Sequence, residues 1–315
     1  MTRAKVAASA ALLVLAVILV ACGSSPTLPA DDVATYQMLT HGNGQGFLRE
    51  ISTQEWDDRG KQAAARFSWI ARDAQSTNED AAQRAGEAAH AIAKFLGDNR
   101  DDLMRVSTGW FGLQHRSLGQ LNPELVRGYA SALIPFQGAL IGNVKPVRGF
   151  ELTGDGLDQS SARSVFAVID TDTQAGTEFK DAAYQRVHSY LRAYAEAVVG
   201  RNPDGLTALR NAADLAGVVE GGQRESGNTA VQTATAQHWI NLAGYEVAAA
   251  MGVRPDGPDI PDKFFQPDGR LKSPEQVSKN DLSGFATALE IFTFNHGLQN
   301  LGSDFQHWYR DAAGK

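Results

Sequence analysis

The sequence predicts an all-α protein, an irregular multi-helix bundle. Three observations predict it. Apolar residues recur at spacings of three and four, as in Phe179, Ala183, Val187, Tyr190, Leu191, Tyr194 and Val198. The alternation of apolar and polar residues that marks a half-buried strand is hard to find. Helix-start signatures recur, among them Asn122-Pro123-Glu124, Asn202-Pro203-Asp204 and Ser273-Pro274-Glu275.

The first segment reads as a targeting signal. Arg3 and Lys5 give a positive start, and Val6 to Ala21 is apolar or small without a break. The run ends in Leu19-Val20-Ala21-Cys22, followed by Gly23-Ser24-Ser25-Pro26. That tetrapeptide resembles the lipobox of bacterial lipoproteins. The resemblance implies that the Cys22 thiol is acylated, that residues 1–21 are cleaved off, and that Cys22 anchors the mature chain to the membrane on its extracytoplasmic side. Two other readings stand beside it: an uncleaved anchor, for which the run is short of the ~20 residues needed to span, and plain secretion with a leftover thiol. Residues 22–30 then form a flexible tether, and 31–315 the body. Loss of Arg3 and Lys5 with the leader takes the formal net charge from −7 to −9. An acidic body is repelled weakly by anionic lipid, so the acyl chains do the holding.

Helices are expected over Asp31–Thr40 and Phe47–Ser52, joined by the glycine-rich link His41–Gly46. No strand precedes that link, so it reads as a loop and not a phosphate cradle. Thr53 is expected to cap a helix to about Arg72 bearing Trp56, Ala63, Phe67 and Ile70. Asn78 caps the next, with a stripe of Ala88, Ala89, Ile92, Phe95 and Leu96 and a stop at Gly97. After Asn122-Pro123 come Leu125, Val126, Tyr129, Leu133 and Phe136, with a kink at Pro135.

Asn143–Leu157 is a Gly/Pro-rich link, and a break near 150–160 is the best place for a subdivision of the body. Ser161–Ile169 reads as helix, although Val165–Ile169 also suits a buried strand; the long helix after it favours helix. A helix from Asn202-Pro203 is expected to end at Gly221-Gly222. A further one carries Val231, Trp239, Leu242, Tyr245 and Val247 and closes at Gly252. Residues 253–273 form the largest loop. Ser273-Pro274-Glu275 restarts helix, and Phe285, Leu289, Phe292, His296 and Leu298 carry the last long one. Phe305, Trp308 and Tyr309 give an aromatic end.

Composition excludes several functions. One Cys in 315 residues rules out an intramolecular disulfide framework and a Cys-based zinc site. The acidic balance argues against nucleic acid as partner, and Arg105, Arg116, Arg127 and Arg148 are scattered without interleaved aromatics. Of the histidines (His41, His90, His115, His188, His238, His296 and His307), no pair has the helical zinc spacing with a Glu. His188, His238 and His296 lie on or beside apolar faces and read as core or boundary residues; convergence of two in space is invisible from spacing. Asp170-Thr-Asp172-Thr-Gln174-Ala175 fails as a calcium loop, with Ala175 at the turn glycine and Asp181 at the bidentate Glu, and reads as a helix cap. No nucleophile elbow occurs. No cofactor, metal site or catalytic residue is assigned; Cys22, as lipidation site, is the one functional residue.

Several phrases together carry a resemblance: Gln54-Glu-Trp-Asp-Asp-Arg-Gly-Lys61, Leu118-Gly-Gln-Leu-Asn-Pro-Glu-Leu-Val126, Tyr129-Ala-Ser-Ala-Leu-Ile-Pro-Phe-Gln-Gly-Ala139, and Val165-Phe-Ala-Val-Ile-Asp-Thr-Asp172 followed by Ala182-Ala-Tyr-Gln185. Over about residues 35–250 the chain resembles helical actinobacterial "tetratricopeptide-region" proteins associated with type VII secretion or polymorphic toxins. The resemblance implies a helical interaction role and transfers no site residue. No self-similarity at about 34 residues is visible, so no true tetratricopeptide array is expected. Trp110-Phe111-Gly112 resembles the turn of small exported helical hairpins, but the match is three residues long and a buried aromatic turn is the better reading.

The expectation is therefore an envelope lipoprotein acting as a non-catalytic protein-interaction module. Two alternatives stand beside it. One is a carrier or sensor of a small apolar molecule in a pocket lined by aromatics such as Trp110, Phe136, Tyr190, Trp239, Phe292 and Trp308. The other is a hydrolase built from convergent carboxylates and a His.

Overall fold

Side-chain caps open seven of the fifteen α-helices among the described residues. The structure is a computed structural model and describes residues 26–108, 113–142, 147–150, 158–228 and 234–315. Asp31 accepts from the Ala34 N–H and opens α1 (Asp32–Thr40). Asn43 does the same for α2 (Gly44–Thr53) through the Gly46 N–H. The glycine link is thus shorter than expected, because Asn43 caps a helix that begins inside it.

Thr53 starts no helix. Its hydroxyl donates to the Arg49 carbonyl at the end of α2. The chain instead turns through Arg59 and Gly60, both at positive φ, while Asp58 accepts from the Gly60 and Gln62 N–H groups. Two short helices follow, α3 (Lys61–Ala65) and α4 (Ser68–Asp73), and they still bury Ala63, Phe67 and Ile70. Asn78 caps α5 (Glu79–Asp98), whose expected stripe is fully buried. Gly97 lies inside this helix and does not end it; Asn99 does, and α6 (Arg100–Met104) follows.

The fold is all-α, as expected, with one small hairpin among the described residues, β1 (Val106–Thr108) antiparallel to β2 (Gln114–Arg116). Three residues per strand are too few to show an alternating pattern. Trp110-Phe111-Gly112 lies outside the described residues. A Ser117–Gln120 capping box opens α7 (Leu118–Leu121), and α8 (Pro123–Leu133) follows with Pro123 in its first turn. Asn122 does not cap it by its side chain. It is fully buried and binds the chain 52–56, donating to the Ser52 and Gln54 carbonyls at 3.1 and 2.6 Å and accepting from the Trp56 N–H at 3.3 Å. Pro135 splits the helix as expected: a 3-10 turn at Ile134–Phe136 leads into α9 (Gln137–Leu140).

Asp158 caps α10 (Gln159–Ile169), and Asp172 caps α11 (Thr173–Gly200), accepting from the Ala175 N–H at 2.9 Å. The Asp170–Ala175 segment is thus a cap. Asp172 also receives the Arg127 guanidinium at 3.0 Å. Arg201, at φ 54, turns the chain into α12 (Gly205–Ser226).

Gly221-Gly222 does not end α12; both residues lie within it. A Cβ at Gly222 would meet Phe166 Cβ at 2.4 Å, and one at Gly221 would meet Arg163 Cδ at 2.2 Å. A Cβ at Gly217 would meet the Tyr309 carbonyl at 2.4 Å. These glycines are seats for two neighbouring helices, not punctuation.

Thr235 caps α13 (Ala236–Ala250), and Gly252, at φ 68, follows its end. Val231 lies outside the described residues. Ser273-Pro274-Glu275 opens only a 3-10 turn at Pro274–Gln276; the helix itself, α14 (Leu282–Asn295), begins later. It stops before His296, and after Gly297 (φ 78) the chain enters α15 (Leu301–Ala313). Leu298 therefore sits between two helices.

The core is continuous along the chain. α10 packs against α5 on one side and α12 on the other, so it joins the segments before and after 143–157. α12 is the centre, touching α10, α11, α13 and α15. Each fully buried Phe, such as Phe67, Phe95, Phe136 or Phe305, contributes roughly 2 kcal/mol of apolar burial. Arginines close the end of α15: Arg163 donates to the Ala312 carbonyl at 2.9 Å and Arg224 to that of Ala313, placing cations at the negative end of the helix. Among the described residues no helix is long and apolar enough to cross a membrane.

Candidate functional site

α14 is apolar on too many sides to be an ordinary surface helix. Phe285, Ala288, Leu289 and Phe292 are buried on its inner side. Its outer side still carries Leu282, Ile291 at 48% exposure and Phe294 at 67%. Scattered exposed aliphatics are normal, but an exposed Phe one position from the end of the same helix as an exposed Ile is a patch.

Beside this patch lies a groove of about 530 Å³ between α13, α14 and α15. Ile240, Asn241 and Gly244 line it from α13, Thr287, Glu290 and Phe294 from α14, and Leu301, Gly302 and Gln306 from α15. Small residues set its depth: a Cβ on Gly302 would lie 3.7 Å from Ile240, and one on Gly244 3.4 Å from Leu289. The polar lining is neutral amide and hydroxyl, with Glu290 the one charged side chain among the described lining residues.

A second, polar pocket of about 460 Å³ lies at the corner where α10 meets α11. Asp170 sits in it, accepting from the Ser226 hydroxyl at 2.5 Å and the Asn228 amide at 3.4 Å. Burial pushes its pKa above the ordinary value, against the opposing effect of those hydrogen bonds. Arg105 and His115 line the same pocket. Among the described residues no hydrogen bond joins His115 to Ser226, so hydroxyl, imidazole and carboxylate do not form a relay. The network ties α10 to the end of α12.

The residues singled out by sequence are dispersed. Cys22 and Trp110 lie outside the described residues. Phe136, Trp239 and Phe292 are closed core. Tyr190 and Trp308 are half-buried, and none of these five described aromatics lines the groove. His296 binds Asp259 at 3.3 Å beyond the end of α14. Arg116, Arg127 and Arg148 are paired with Glu55, Asp172 and Glu79. Two histidines do converge: His188 and His238 both pack on Trp239. Among the described residues no group of three or more His, Cys, Asp or Glu is arranged to hold a metal ion.

Sequence reasoning missed Ile291 and Phe294. The signal was present: with Phe285, Leu289 and Phe292 already filling one side, residues 291 and 294 must face elsewhere. Comparison with family models, with curated proteins and with solved structures finds no match to this chain.

Proposed function

We propose that this protein is an envelope lipoprotein, anchored on the extracytoplasmic side of the membrane through acyl chains on Cys22, whose helical body is a non-catalytic protein-interaction module. The groove between α13, α14 and α15 docks one apolar helix of a protein partner. The observation that carries the docking reading is the exposure of Ile291 and Phe294 beside that groove. Burying Phe294 against a partner gives roughly 2 kcal/mol, enough to make it an anchor of the interface. The amide-rich lining and the single carboxylate fit a helix with an apolar stripe, uncharged flanks and one basic residue to meet Glu290.

Photo-crosslinking tests it. A benzophenone side chain at position 294 captures a specific envelope protein, and the same probe on exposed Asp80 of α5 does not. Recovery of the same proteins from both positions, or of none from position 294, removes the docking reading.

The groove also favours a second reading. Its volume falls in the range of roughly 300–1,000 Å³ typical of small-molecule sites. A carrier of a small apolar molecule would bind an apolar fluorescent dye at one site and lose it in Phe294→Glu; a partner-docking groove holds no dye at stoichiometric concentration.

A further inference from the structure

α13 has two faces. One supplies Gln237, Ile240, Asn241 and Gly244 to the groove. The other carries His238 and Trp239 toward α11, against which α13 packs. The Trp239 indole is 1% exposed, and its Nε1–H has no acceptor among the described residues. Three rings stand edge-on to it: Tyr184 at 5.1 Å, His188 at 5.4 Å and His238 at 5.0 Å, with interplanar angles of 63°, 79° and 77°. Two imidazoles, one from each helix, thus share a single buried indole.

A neutral imidazole packs there as an aromatic ring and keeps one acceptor nitrogen. An imidazolium has two donors and no acceptor, and it must be desolvated to stay. Among the described residues, the charged groups acting on the pair are Arg192 on α11 and Glu275 on the turn 274–276, and Tyr184 of α11 shares the same indole. Arg192 is 3.8 Å from Glu246. Burial is the largest influence on both rings and disfavours their protons; Glu275 opposes it, and for His188 Arg192 and His238 reinforce it.

We propose that the His188–Trp239–His238 stack is a proton-operated latch on α13: when the two imidazoles take up protons, α13 loosens from α11 and the groove on its opposite face loses its wall. The latch regulates the groove, so its biological meaning rests on the docking reading above. The stack itself does not.

The direction follows from linkage. Both rings are held below their ordinary value of 6.5 in the folded chain. Above 6.5 neither state binds the protons, and the stack carries no penalty. As pH falls below 6.5 the unfolded or loosened state takes protons first, and the packed state loses stability progressively through the depressed folded values.

The test compares the full chain in detergent with the double variant His188→Gln/His238→Gln, at about pH 7.5 and about pH 5, by amide hydrogen exchange corrected for intrinsic rates. In the unsubstituted chain, acid weakens protection in residues 236–250 by about tenfold or more relative to α12, and in the double variant it does not. Acid-independent protection of α13, or an acid response that survives in the double variant, overturns the latch. Should the double variant not fold, imidazole resonances of the unsubstituted chain decide: His188 and His238 titrating below 6.5 together with the loss of α13 protection support it, and either ring titrating at or above 6.5 refutes it. An acid response in α13 without specific capture from position 294 supports the latch and rejects the docking reading alone.

Discussion

Asp214 gives the sharpest test of the energetics. It lies on α12 at 4% exposure, with Arg210 one turn earlier at 3.5 Å. The ion pair is weak, because the arginine side chain is 61% exposed. Burial dominates and pushes the Asp214 carboxyl from 3.8 up to about 6. A carboxyl whose folded value is raised contributes stability in full below its unfolded value and loses it as pH rises through about 6.

At about pH 7.5 the folded chain therefore holds a disfavoured anion. The cost is about 1.4 kcal/mol for each tenfold between the two values, or roughly 3 kcal/mol. Asp214→Asn removes that cost, which is already net of the opposing effect of Arg210. The variant is expected to be about 2–3 kcal/mol more stable at about pH 7.5 and equal or slightly less stable at about pH 4. Urea denaturation of both chains at the two pH values measures it. The histidine stack has the opposite acid response but is common to both chains, so it cancels in the difference. A variant less stable at neutral pH, or a difference that does not change with pH, would refute the reasoning.

Three further outcomes are expected. Cys22→Ala abolishes acylation and leaves the precursor uncut, as mass and detergent partitioning would show; normal processing and membrane retention would reject the lipobox reading. Asn122→Ala strips partners from the Ser52 and Gln54 carbonyls and the Trp56 N–H, and costs about 3 kcal/mol in chemical denaturation. Gly222→Ala drives a Cβ into Phe166, separates α10 from α12 and costs about 3 kcal/mol or more; a thermal midpoint within about a degree of the parent chain would contradict the seat assigned to that glycine.

Much of the helical plan was legible because caps are local. Asn78 and Asp172 each accept from an N–H three residues on, so the signal and its effect share one stretch of sequence. The misreadings share a cause as well. Gly221-Gly222 resembles a stop because glycine frees the backbone; here it removes a side chain, and only Phe166 and Arg163, on another helix, reveal which property is used. Asn122 has the composition of a cap, yet its amide is engaged by a segment some seventy positions earlier. Thr53 lost its helix to Asp58, whose carboxylate organises a turn that periodicity does not register.

The candidate site follows the same rule. The groove needs α13, α14 and α15 at once, so no single stretch encodes it. The exposed Ile291 and Phe294 could be inferred once one side of α14 was assigned. The pairing of His188 with His238 could not, since it depends on which face α11 turns to α13.

The seating of α15 bears on how the chain comes to be folded. The bond from Arg163 to the Ala312 carbonyl spans 149 positions, and Gly217 and Gly221 are shaped to receive residues 309–313. Synthesis delivers α10 and α12 long before their lid. Until residues 301–313 have emerged, the face of the central helix that holds Gly217 and Gly221 has no counterpart. Such long-range closure makes folding late and slow. The faces of α10 and α12 that receive residues 309–313 stay uncovered until that last helix is in place.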